Sequence, residues 1–91
     1  MIDVKQAVQS AEAYARELYR GDELRHLRLE EVERSDDGRS WYVTLGWVEP
    51  AVSSNALVIG GGFQKLPRVY KVFEVDAETG VVQSMKIRDV G

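Results

Sequence analysis

Three consecutive glycines at positions 60–62 follow a short apolar run and precede two basic residues, Lys65 and Arg68. Glycine-rich loops bind phosphate when their glycines stand at fixed spacings between a strand and a helix. This stretch has neither of the usual spacings, and no helical pattern follows it. We interpret it as a connector that can also contact a partner, and not as a phosphate-binding loop.

Carboxylates crowd the stretch "LEEVERSDDG" at Glu30, Glu31, Glu33, Asp36 and Asp37. Paired carboxylates act as acid and base where desolvation separates their pKa values, but this stretch has the composition of a polar hairpin. We interpret it as a solvated face. An alternative is an acidic docking surface, as in an inhibitor or immunity-type protein that blocks an enzyme.

The chain has one histidine, His26, and no cysteine to complete a transition-metal site around it. None of its serines stands in a nucleophile-elbow sequence. We therefore predict that the protein is not an enzyme and that it uses no metal or other cofactor.

Composition limits the classes of partner. The chain has 91 residues, 44% of them hydrophobic, and a formal charge of −3, which fits a single domain over residues 1–91. Its acidic balance disfavours nucleic-acid binding. We predict no membrane association, because its apolar runs are too short to span a bilayer. The N-terminus lacks the apolar region of a signal peptide, which predicts a cytoplasmic location.

A helix is predicted from about Asp3 to Arg20. Apolar residues recur there at intervals of three and four, which places them on one side of a helix: Val4, Ala7, Val8, Ala11, Tyr14, Ala15 and Leu18. Asp3 and Gln6 have the spacing of a capping box, and Gly21 can end the helix.

The remaining patterns repeat every second residue, as in antiparallel strands. The first strand contains Leu27, Leu29 and Val32, and its broken alternation predicts a bulge near Glu30 or Glu31. A turn at Gly38 leads to the second strand, whose alternating residues are predicted to face the helix: Trp41, Val43, Leu45 and Trp47.

Two further strands, "RVYKVFEV" and "VVQSMKIR", flank the turn "DAETG", which can close on Gly80. We predict an α+β fold in which one N-terminal helix packs on a four-stranded antiparallel meander. A long loop at about 49–66 joins the second and third strands.

This order of elements resembles the cystatin-like architecture and, within it, the PepSY-type modules. The likeness rests on "VKQAVQSAEAYARELY" for the helix and on "VYKVFEVDAETGVVQSMKIR" for the closing hairpin. The chain also resembles small bacterial proteins of unknown function with the patterns "LEEVE…W.VT.G" and "LPR.YKV…D..TG.V.S.K.R". These resemblances imply a fold and no particular activity.

Apolar residues remain on the sheet face that a single helix cannot cover. The predicted patch on that face comprises Tyr42, Val48, Tyr70, Val72 and Val82. An alternative to a binding role is that the long loop covers this patch. The loop adds a second set of candidate contact residues: Leu57, Ile59, Phe63, Lys65 and Arg68. We predict a protein-interaction or regulatory module whose partner is protein, either a second copy of the chain or an unknown protein.

A small-ligand-binding domain is the alternative. Its pocket would lie between the helix and a curled sheet and would be lined by Tyr14, Trp41 and Trp47.

Overall fold

The computed structural model describes residues 1–20, 24–48 and 68–88. The predicted loop at about 49–66, with Leu57, Ile59, Phe63 and Lys65, lies outside the described residues, as does Gly21.

The described residues form one helix and four strands: α1 (Val4–Leu18), β1 (Arg25–Arg34), β2 (Ser40–Val48), β3 (Arg68–Asp76) and β4 (Val82–Ile87). Consecutive strands pair antiparallel in one sheet with the order β1-β2-β3-β4. The helix packs on one side of this sheet. The predicted α+β fold is therefore confirmed.

The helix begins at the predicted capping box. The Asp3 carboxylate accepts a hydrogen bond from the Gln6 backbone N–H, and the Gln6 side-chain oxygen accepts one from the Asp3 N–H, each at 2.9 Å. Two N–H groups without helical partners are thus satisfied. The helix ends at Leu18, slightly before the predicted Arg20, because Tyr19 leaves helical geometry with φ −103° and ψ 32°.

Three alanines on one side of α1 form its contact with the sheet. Ala7, Ala11 and Ala15 are completely buried, and their four-residue spacing stacks them along one face. Because a methyl group is short, the helix backbone lies close to the sheet. Beneath it lie fully buried side chains of the two central strands: Val43, Leu45, Phe73 and Val75. We call this side of the sheet the inner face and the opposite side the outer face.

Aromatic contacts flank the alanines. Tyr14 meets Phe73 edge-on with ring centroids 6.1 Å apart, and Tyr19 meets Trp47 in the same way at 5.3 Å. Trp41 also packs against the core. The predicted inner-face position of the alternating residues of β2 is therefore confirmed.

The predicted irregularities of the strands are also present. Leu29 pairs with Leu45 but Glu31 pairs with Thr44, so Glu30 is an extra residue in β1. The two tight turns contain glycines of positive φ, 74° at Gly38 and 79° at Gly80, a conformation that glycine adopts without steric cost. The expected bulge and both turn glycines are confirmed.

The predicted position of Val82 on the outer face is wrong. Val82 pairs with Val75, a core residue. The neighbouring Glu74 pairs with Ser84, which leaves Gln83 as an extra residue in β4. Strict alternation fails at such a bulge, because one inserted residue exchanges the two faces. Val82 therefore packs against the core and does not belong to the outer patch.

The close approach of α1 to the sheet predicts the effect of enlarging an alanine. Ala11→Leu is expected to lower the free energy of unfolding by about 1–3 kcal/mol, because the added atoms must displace packed side chains. Ala13→Leu is the control, since Ala13 is exposed on the same helix and its change should stay within about 0.5 kcal/mol. Urea denaturation measures both, and equal stabilities of the two variants would contradict the packing described.

We expect Asp76 to contribute to the loss of protein stability at acid pH. The backbone N–H groups of Thr79 and Glu78 donate to its carboxylate at 2.9 and 2.8 Å, and these bonds hold the pKa of Asp76 below its ordinary value. Its stabilisation is therefore present above the unfolded pKa of about 3.9 and is lost as the pH falls through the lower folded value.

Asp76→Asn is accordingly expected to flatten the fall of the melting temperature between about pH 5 and pH 2. Asp36→Asn is the control, because Asp36 makes no hydrogen bond with another described residue, and it should leave the profile unchanged. Thermal melts followed by circular dichroism across this range make the comparison. A profile of Asp76→Asn as steep as that of the wild type would count against the turn as a source of acid sensitivity.

Candidate functional site

The outer face is the side of the sheet that α1 leaves uncovered. Directly paired residues of neighbouring strands share a face, so the register assigns to it Arg28, Glu31, Glu33, Tyr42, Thr44, Gly46, Tyr70, Val72, Glu74, Ser84 and Lys86. Tyr42, Tyr70 and Val72 therefore lie where the alternation predicted. Their role in binding stays a prediction.

An arginine crosses the middle of the outer face. Arg88 follows β4, yet its Nη1 donates to Thr44 Oγ1 on β2 at 3.0 Å and to the Glu31 carboxylate on β1. We call this group the Arg88 bridge. Together with its neighbours it leaves Thr44 only 3% exposed, although no described helix covers this side. The bridge thus links the two edges of the sheet through side chains.

A second arginine makes a similar crossing near the start of β3. Arg68 Nη2 donates to the backbone carbonyl of His26 at 3.0 Å and to the Glu30 carboxylate at 3.2 Å. Arg28 donates to the same Glu30 oxygen at 2.9 Å. We call these four residues the Arg68 bridge. The carbonyl that Arg68 reaches belongs to a residue of unusual backbone geometry, because His26 has φ 55°.

Glu30 is the negative centre of the Arg68 bridge. Its side chain is 23% exposed and that of Arg68 is 18% exposed. The hydrogen bond from Arg28 is the main reason that the pKa of Glu30 lies below its ordinary value, while partial burial opposes the shift and Arg68 reinforces it. Glu30 is therefore ionised at neutral pH and satisfied by two cations.

Gly46 leaves the space that Glu30 occupies. A Cβ atom at position 46 would lie 2.7 Å from Glu30 Oε2 and 3.1 Å from Tyr70 Cδ1. Both distances are shorter than ordinary van der Waals contact. The extra residue in β1 and the missing side chain in β2 therefore act together, since the bulge turns Glu30 onto the outer face and Gly46 gives it room.

The Arg88 bridge divides the outer face into two shallow grooves. One, of about 460 Å³, contains Tyr42 and Val72 with Glu33 and Lys86 beside them. The other, of about 420 Å³, contains Tyr70 and Glu30. Arg88 and Glu31 line both. The predicted apolar patch is thus not continuous, because an ion pair separates Tyr70 from Tyr42 and Val72.

Several residues that shape this face were not identified from the sequence as contributors to it. Thr44 and Arg88 lie in ordinary strand patterns, and their contact joins positions 44 residues apart. Gly46 carried a signal, because a glycine inside a strand often marks close approach of another group. Val48 was placed in the patch but is buried.

The residues proposed for a ligand pocket occupy different surroundings. Trp47 is buried against Tyr19, and Tyr14 packs edge-on against Phe73. Trp41 lies beneath the guanidinium of Arg34, 5.2 Å from the ring centroid. The space between helix and sheet at these positions is therefore filled by side chains.

Several carboxylates of the acidic stretch "LEEVERSDDG" make hydrogen bonds or ion pairs within the fold. Asp37 accepts hydrogen bonds from the Arg39 N–H and from Ser35 Oγ, which hold its pKa below the ordinary value. Glu30 and Glu31 are paired with arginines. Glu33 and Asp36 are the members of the stretch whose side chains have no hydrogen bond or ion pair with another described residue.

No protein-family model, curated protein or solved structure matches this chain. The resemblance to PepSY-type modules therefore stays a prediction. The described helix is neither long enough nor apolar enough to cross a membrane. Residues 1–20, 24–48 and 68–88 contain no cluster of three side chains able to hold a metal ion.

The fit of Glu30 over Gly46 predicts a coupled effect of two substitutions. Gly46→Ala is expected to destabilise the protein by about 1–2 kcal/mol, because the new methyl group must displace Glu30 and Tyr70. In a Glu30→Ala background the same substitution should cost much less, because the obstructing carboxylate is gone. Urea denaturation of both single variants and the double variant tests this, and additive effects would contradict the contact.

Proposed function

We propose that this protein is a non-catalytic protein-interaction module and that the outer face is its binding surface. The observation that carries the proposal is the exposure of aromatic and aliphatic groups on a face that no described helix covers. Tyr42 is 36% exposed, the half-buried Val72 lies in the same groove, and the half-buried Tyr70 lies in the second groove. Tyrosine and arginine are the residue types that protein interfaces favour.

The paired charges support a binding role. Burying an unpaired charge under a partner is costly, whereas a charge that already has its hydrogen bonds costs less to cover. The two arginine bridges supply such pairing for Glu30 and Glu31. They also fix long side chains that would otherwise lose conformational freedom on binding.

The same pairing is our reason for proposing that the module is non-catalytic. A carboxylate held by arginines has a lowered pKa and is a poor proton donor at neutral pH. Glu30 is in this state.

The two other hypotheses have less support. A ligand pocket between helix and sheet would need the space that the alanine contact and the aromatic pairs occupy. The acidic hairpin has a shallow groove of about 430 Å³ beside Glu33, Asp36 and Tyr42. Its Asp37, however, already accepts hydrogen bonds from Ser35 and Arg39 within the turn. Because Glu33 and Tyr42 also border the outer face, we regard this groove as an extension of the same surface.

A carboxylate placed in the outer face tests the proposal. Tyr42→Glu is expected to reduce capture of protein partners by about tenfold or more, because interface tyrosines are frequent hot spots. The Tyr42 side chain makes no hydrogen bond with another described residue, so the substitution breaks none. The measurement is affinity capture from a cell extract, using the wild type and the variant as bait, followed by quantitative mass spectrometry.

Ala13→Glu is the matched control, because it introduces the same side chain on the exposed side of α1. Partners that are lost with Tyr42→Glu and kept with Ala13→Glu support the outer face. Equal capture by all three proteins would contradict the proposal. Circular dichroism confirms that each bait is folded.

A further inference from the structure

We infer that the outer face binds a second copy of this chain, in a two-fold dimer whose axis runs parallel to the strands. This inference rests on the proposed function and specifies the partner. Its basis is the distribution of charge across the sheet.

The two edges of the outer face carry opposite charges. On β1 the outward residues near the turn are Glu31 and Glu33, and farther along the strand the outward Arg28 is paired with Glu30. On the β4 side the outward charges are Lys86 and, at the far end, Arg88. Glu31 and Arg88 satisfy each other through the Arg88 bridge. The side chains of Glu33 and Lys86 form no hydrogen bond or ion pair with any other described residue. Within the described sheet, each edge therefore presents one free charge, negative on β1 and positive on β4.

Symmetry determines how two such faces can meet. A two-fold axis within the interface and parallel to the strands lays β1 of one copy over β4 of the other. An axis across the strands would lay β1 over β1 and β4 over β4, which brings like charges together. Only the first arrangement brings the free charges of the two edges into opposite-charge contact, and it forms each such contact twice, as an isologous interface requires.

The register brings the free charges within reach of each other. Glu33 is level with Ser84, since the pairing runs through Tyr42 and Glu74. In the dimer Glu33 therefore faces Ser84 of the second copy, and Lys86 lies two residues farther along, about 7 Å away. Extended glutamate and lysine side chains can close that distance.

The apolar groups occupy the middle of the same arrangement. Tyr42 lies on β2, so it faces β3 of the second copy, level with that copy's Glu74, which accepts a hydrogen bond from Ser40 of its own chain, and one pleat away from its Val72. The two tyrosines and two valines form the centre, and the free charges form the rim. Apolar centres with polar rims are typical of protein interfaces.

The size of the face predicts a weak dimer. Four strands of up to ten residues, spaced about 4.8 Å apart, give an outer face of roughly 500 Å² per copy. Two copies would bury roughly 1,000 Å², which is the lower limit for specific association. The dimer should therefore dissociate on dilution.

Exchanging the free charges tests both the dimer and its arrangement. Glu33→Lys alone brings two ammonium groups together at each of the two symmetric contacts, and Lys86→Glu alone brings two carboxylates together at each. Both variants are expected to dimerise at least about tenfold more weakly than the wild type. In an equimolar mixture of the two, the mixed dimer has an opposite-charge pair at both contacts, one exchanged and one original, so the two variants are expected to associate with each other about as strongly as the wild type.

The double variant Glu33→Lys with Lys86→Glu restores both opposite-charge contacts with their signs reversed. It is expected to associate with itself about as strongly as the wild type. Sedimentation velocity over a hundredfold range of protein concentration measures these equilibria. Lys5→Glu is the control, because it makes the same charge change as Lys86→Glu on the exposed side of α1 and should leave dimerisation unchanged.

The outcomes distinguish a failure of the dimer from a failure of the proposed protein-binding role of the outer face. A wild type that stays monomeric at every concentration overturns the dimer, while the capture experiment with Tyr42→Glu still decides whether the face binds another protein. A dimer that Glu33→Lys and Lys86→Glu leave intact, or that the double variant fails to restore, overturns the arrangement.

Discussion

The contact between three alanines of α1 and the two central strands determines the rest of this structure. Ala7, Ala11 and Ala15 bring the helix close to the sheet, and the valines, leucine and phenylalanine beneath them are completely buried. One helix can cover only one side of a four-stranded sheet. The inner face therefore holds the hydrophobic core, and the outer face must be stabilised by other means.

Charged side chains that span several strands meet this requirement on the outer face. The Arg88 bridge covers Thr44, and the Arg68 bridge surrounds Glu30 above the glycine of β2. Ion pairs at a surface contribute little to stability individually, but here they limit solvent access to the central strands. They leave the tyrosines and Val72 beside paired charges, so the features that limit solvent access also shape the surface that we propose for binding. The free charges at its two edges make the face negative along β1 and positive along β4.

The sequence predicted those features that depend on local pattern. The capping box, the four strands, the turn glycines and the bulge at Glu30 each follow from residues close together in the chain. The patch was harder to predict because it depends on register and on long-range contacts. A second bulge, at Gln83, moved Val82 to the core, and nothing in the alternation of "VVQSMKIR" signalled it. Arg88 reaches Glu31 across 57 positions of sequence, and no local pattern encodes such a contact.

A concentration series of two-dimensional NMR spectra tests most directly whether the outer face is the surface of association. If it is, the resonances of Tyr42, Val72 and Lys86 should shift progressively as the protein is concentrated, because their surroundings change in the dimer. The resonance of Ala13, on the exposed side of α1, should stay fixed. Spectra that do not depend on concentration, or shifts confined to the helix, would contradict this account.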